Sequence, residues 1–152
     1  MKKKCRRKIY QLVNPIEFAI KGAAVAEKQK LDKLALVELM AIESLVKGQG
    51  TVNDWRVLVD MMNVSEVMGR NGIGPEVLPV CEEVQKYMVE AKERYEKTGK
   101  MGLSGPGIKA IKELFAYAEL QRSSIPLSEF ERMIDKTVNY IRSNGQRVVH
   151  LT

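Results

Sequence analysis

Histidine occurs once in the 152 residues, cysteine twice, tryptophan once and phenylalanine three times. Each scarcity closes a route. General acid–base or nucleophilic catalysis usually needs a histidine beside a Ser, Cys or carboxylate. The only histidine, His150, stands two residues from Thr152, where a chain end frays. Two cysteines, Cys5 and Cys81, cannot build a disulfide framework or a four-thiolate zinc site. No apolar run approaches the ~18 residues of a membrane span, so no membrane is expected as a partner. The opening Met1-Lys2-Lys3-Lys4-Cys5-Arg6-Arg7-Lys8 has no long apolar region behind it, which reads against a secretory signal. A reducing cytoplasm is the expected location.

What is present is an uneven charge. The chain carries 25 Lys and Arg against 19 Asp and Glu, a net +6. Six of the cations are Lys2, Lys3, Lys4, Arg6, Arg7 and Lys8, so the rest of the chain balances. The sequence pI of 9.3 therefore describes an arm and not a basic fold. Residues 1–13 read as this basic N-terminal arm and residues 14–152 as one helical domain.

Periodicity and caps predict an all-α bundle of five to six helices. Asn14-Pro15-Ile16-Glu17 reads as a helix start, running to about Glu27 and weakened by Gly22. A second helix, about Gln29 to Lys47, is apolar nearly all round and is expected at the centre of the domain. Lys47-Gly48-Gln49-Gly50 stops it, and Thr51 with Asp54 opens the next as a capping box. Gly74-Pro75-Glu76 starts a fourth helix, whose stripe runs through Leu78, Cys81, Val84, Met88 and Ala91 to Tyr95. Gly99 to Gly107 holds four glycines and one proline, and marks the expected flexible point. A fifth helix spans about Pro106 to Arg122. A sixth starts at Ser128-Glu129-Phe130-Glu131, read as a capping box. Ile9–Val13 and Arg147–Thr152 have strand-like composition and could pair as a short terminal β-ribbon.

The remaining chemical motifs read as structure. Cys81 lies on an apolar stripe, as a buried inert thiol does. Cys5 lies among cations that would lower its pKa, but no resolving cysteine or base stands near it in sequence. Glu82-Glu83 and Glu90 with Glu93 alternate with Lys86, Lys92 and Arg94, the pattern of a solvated helix face. Helices flanking Gly48 could form a helix-turn-helix, but Asp54 in the leading turn opposes a polyanion. The expectation is no enzyme, no metal and no cofactor.

Binding is what remains. The arm cations Lys2, Lys3, Lys4, Arg6, Arg7 and Lys8 can displace counterions from phosphates of DNA or RNA, or meet an acidic protein surface. Trp55, Arg56, Met61 and Tyr95 are candidate surface anchors, although at helical spacing a core role competes for Trp55, Met61 and Tyr95. A homo-oligomeric structural protein is a further reading.

One resemblance bears on this. The basic arm, Asn14-Pro15 with Gly22, Asn63-Val64-Ser65-Glu66, Asn71-Gly72-Ile73-Gly74, Thr98-Gly99-Lys100-Met101, Ala118-Glu119-Leu120-Gln121 and Glu131-Arg132 together resemble a family of small phage- and prophage-encoded proteins of uncharacterised function. The resemblance implies a phage source and carries over no activity or site residue. With it, the leading expectation is a non-catalytic accessory protein that binds a host or defence macromolecule, protein or ribonucleoprotein, as an inhibitor.

Overall fold

The computed structural model describes the backbone of residues 15–144 and the side chains of residues 28–143. The predicted capping by Asn14, the basic arm, the boundary at residues 13 and 14, the terminal ribbon and His150 lie outside them. Among the described residues five helices follow in order: α1 Pro15–Val46, α2 Val52–Arg70, α3 Val77–Thr98, α4 Gly105–Ser123 and α5 Leu127–Asn144. The architecture is all-α, as the periodicity predicts. Two compact units divide the chain, Met1–Lys33 and Leu34–Thr152, with α1 contributing to both.

The first two predicted helices are one. Nothing between Glu27 and Gln29 stops a helix: no proline, glycine or capping residue stands there, and Lys28, Gln29 and Lys30 all favour the helical state. A single Gly22 costs only about 1 kcal/mol against alanine. Within Leu34–Thr152, α1 is also not the centre. It buries Glu38, Ala41, Ile42 and Leu45 on one side and leaves Leu36, Val37, Leu39 and Met40 exposed. The central place goes to α2, which packs against α3, α4 and α5. Its Trp55, Leu58, Val59 and Met62 are buried at helical spacing and fill the middle of the core.

Caps explain most boundaries. Thr51 Oγ1 accepts from Asp54 N at 3.1 Å, while Asp54 Oδ2 accepts from Thr51 N at 2.9 Å, the predicted capping box. Ser104 accepts from Gly107 N at 3.3 Å, with Pro106 in the first turn of α4. α3 ends at Gly99, whose φ of 74° is the left-handed conformation that glycine adopts without penalty. It begins at Val77, because Gly74, Pro75 and Glu76 form a turn ahead of it. α5 starts at Leu127, one residue before the predicted cap. Ser128 is therefore inside the first turn, and the amides of Glu129 and Phe130 donate to Pro126 O.

The expected flexible segment is strapped down. Gly50 N donates to Met101 O at 3.0 Å, Leu103 N to Leu45 O at 3.3 Å, and Arg94 Nη1 to Gly102 O at 2.8 Å. Met101 is fully buried. The glycines here serve close approach: a Cβ on Gly50 would stand 2.5 Å from Leu45 Cδ1 and 3.1 Å from Met101 O.

Candidate functional site

The candidate site is built on the face of α2 that α5 covers. Asn63, Glu66, Val67 and Arg70 recur every three or four residues and so share one side of α2. Lys136, Thr137, Tyr140 and Ile141 do the same on α5. The two faces diverge into two concavities that share Asn63, Thr137 and Ile141.

The first is a polar groove of about 420 Å³, walled by α2 and α5 with Gln85 of α3 at its side. Arg70 and Glu66 pair at 2.7 Å. That bond holds the Arg70 guanidinium above its ordinary pKa. Lys136 Nζ donates to Asn71 Oδ1, and Asn71 Nδ2 donates to Val67 O at 2.6 Å, closing the C-terminal end of α2. Asn63 is 3% exposed, and neither its amide nitrogen nor its amide oxygen has a hydrogen-bond partner among the described residues. A buried amide without partners costs free energy that most native interiors avoid.

The second is an apolar cavity of about 330 Å³ between α1, α2 and α5. Leu34 and Val37 of α1, Val57, Met61 and Val64 of α2, and Ile134 and Val138 of α5 form most of its wall. Two of its three charged members pair with each other: Arg122 of α4 meets Glu38 of α1 at 2.8 and 3.0 Å, both side chains at most 5% exposed, and Asp60 of α2 is the third. Burial pushes the Glu38 carboxyl up, and the Arg122 guanidinium offsets part of that rise. Val37 and Val138 belong both to the cavity and to the exposed apolar surface, which continues along α1 through Leu36, Leu39 and Met40, the last 60% exposed.

The sequence-derived anchors fall elsewhere. Trp55 is 2% exposed and donates its indole N–H to Met88 O at 3.0 Å, so it is core and offers no surface. Met61 is likewise buried and reaches only the cavity wall. Spacing alone cannot distinguish an anchor from a core residue, because both recur with the helical period. Arg56 is exposed, Tyr95 is half-buried against the core, and neither lines either concavity. Cys81 is buried behind the groove, its thiol pushed up to about 12 by burial. Among the described residues no cluster of His, Cys, Asp and Glu could hold a metal ion, and no helix is long and apolar enough to cross a membrane.

Of the residues that converge here, Asn63, Glu66, Arg70, Lys136 and Tyr140, only Asn63 and Glu66 fall in a segment that the resemblance quotes, and none is a site residue by motif. One signal was available: Asn63 and Ser65 interrupt the apolar run from Met61 to Met68, where buried polar side chains ask for partners. No protein-family model, curated protein or solved structure matches this chain.

Proposed function

We propose that this chain is a non-catalytic, phage-encoded accessory protein that inhibits a host or defence protein, or a ribonucleoprotein, by binding it. It docks an apolar helical segment of that partner across α1 and α5. The observation that carries this is the apolar cavity between those helices, flanked by the exposed Leu36, Val37, Leu39 and Met40. Contiguous exposed apolar side chains mark interaction surfaces more often than isolated ones do. A cavity beside them supplies the pocket into which a partner's anchor residue is desolvated. Amphipathic helices use this mode, laying side chains at three- and four-residue spacing into a groove. Arg122 and Glu38 suit such a floor, since their charges offset each other, which leaves Asp60 as the other charged member of the lining.

The test is site-specific photocrosslinking in cells of the bacterial host. A photoreactive residue at position 37 or 138 is expected to trap one host or defence protein. Val37→Glu, read from a probe at position 138, is expected to abolish that adduct. Adducts only between copies of this chain would replace the proposal with the homo-oligomeric reading.

A second reading rests on Lys2, Lys3, Lys4, Arg6, Arg7 and Lys8, which lie outside the described residues: DNA or RNA held by phosphate contacts. It predicts that nucleic-acid affinity falls linearly in log–log form with salt, with a slope of about −4 to −5 for six phosphate contacts. A flat salt response removes it.

A further inference from the structure

The polar groove between α2 and α5 has chemistry that the apolar docking surface does not use. Asn63 lines the groove, is 97% buried, and has no partner among the described residues for its amide donor or its amide acceptor, both of them buried atoms. Seven residues along the same face of α2, Arg70 reaches the groove, and Lys136 joins it from α5. Two cations against the single carboxylate of Glu66 leave the groove with one net positive charge. Glu66 is already held by Arg70, and Lys136 spends one of its three donors on Asn71. Tyr140, 53% exposed, lines the same wall. The volume of about 420 Å³ is that of a small-molecule site.

We propose that this groove binds a mononucleotide, its base edge paired with the amide of Asn63, its phosphate on Lys136 and Arg70, and its base or sugar against Tyr140. An asparagine amide is a donor–acceptor pair and matches the adjacent donor and acceptor of a nucleobase edge. The far cation is Lys136, whose Nζ is held on Asn71, eight residues and about 12 Å of helix rise beyond Asn63. A mononucleotide spans that distance between base edge and phosphate; inorganic phosphate cannot engage both ends. The inference goes beyond the docking reading and stands or falls apart from it, because none of its contacts involves Val37, Val138 or the exposed face of α1.

The experiment is calorimetric titration of the full chain with AMP, GMP, UMP, inorganic phosphate and an N-acetylated Asp-containing dipeptide amide. At least one mononucleotide is expected to bind with a Kd below about 1 mM, and inorganic phosphate at least about tenfold more weakly. Lys136→Ala and Asn63→Leu are each expected to weaken the nucleotide at least about tenfold. Neither should prevent folding, since Lys136 is exposed and leucine replaces an unpartnered amide with an apolar group of similar size. The proposal is overturned by no nucleotide binding, by inorganic phosphate binding as well as the nucleotides, or by the dipeptide binding in their place. It is also overturned if both variants bind nucleotide as well as the unaltered chain, which would move the site to the cationic arm.

Discussion

Cys81 shows how burial decides the fate of a reactive group. Its thiol lies against Met62 O at 3.9 Å and titrates at about 12, whereas a free thiol titrates near 8.5. At pH 8 Cys81 is expected to resist alkylation in the folded protein while Cys5 reacts, and both react in denaturant; mass spectrometry of the alkylated chain reads this directly. The same shift has a sign for stability. Between about 8.5 and about 12 the unfolded thiol loses its proton and the folded one keeps it. The neutral-thiol contribution is therefore complete below pH 8.5 and is lost as pH rises through that window. Melting temperature should fall more steeply with pH above 9 in the unaltered chain than in Cys81→Val. Trp55 is the other informative residue. Its indole N–H and ring are both buried, so Trp55→Phe should cost about 1–3 kcal/mol in urea unfolding, by removing the side-chain bond to Met88 O and leaving space where the larger ring packs. The tryptophan was legible as a stripe residue. That it serves the core and no partner depends on which helix lies opposite, and periodicity does not report that.

At the scale of elements, local chemistry was the legible part. The Thr51–Asp54 box, the Ser104–Pro106 start and the Gly99 stop all follow from side chains within four residues of one another. Long-range choices were not legible. The continuity of α1 is local, since no stop signal stands between Glu27 and Gln29, whereas its off-centre position is a long-range choice that follows from α2 packing against α3, α4 and α5. The Arg122–Glu38 pair, 84 residues apart in sequence, belongs to this class. It ties α4 to α1 where the apolar cavity needs a floor. Breaking it strands a buried charge, so Glu38→Leu and Arg122→Met should each destabilise by about 3–5 kcal/mol. The double variant should recover most of that loss, since apolar replacement of a whole buried pair is often neutral. A double-mutant cycle by chemical denaturation checks it; two additive losses would show that the side chains act independently.

Across the whole sequence the excess charge is concentrated near one end. The excess of six positive charges equals the six cations of residues 2–8, and the remainder balances. This was readable by counting. The two concavities were not, because each is assembled from helices distant in sequence and shares Asn63 between them. The groove, where Glu66, Arg70 and Lys136 gather, has no counterpart in any sequence motif. On the nucleic-acid reading, removing the charges of residues 2–8 lowers nucleic-acid affinity and flattens its salt response, and on the docking reading it leaves crosslinking from position 138 intact; filter binding at two salt concentrations reads the first, and the crosslinking yield the second.

Photocrosslinking from position 37 in host cells, compared with a probe at exposed Glu82 on α3, tests the docking surface most directly. The account predicts one recurrent adduct with a host or defence protein from position 37 and none from position 82. Equal labelling from both positions, or adducts only between copies of this chain, would contradict it.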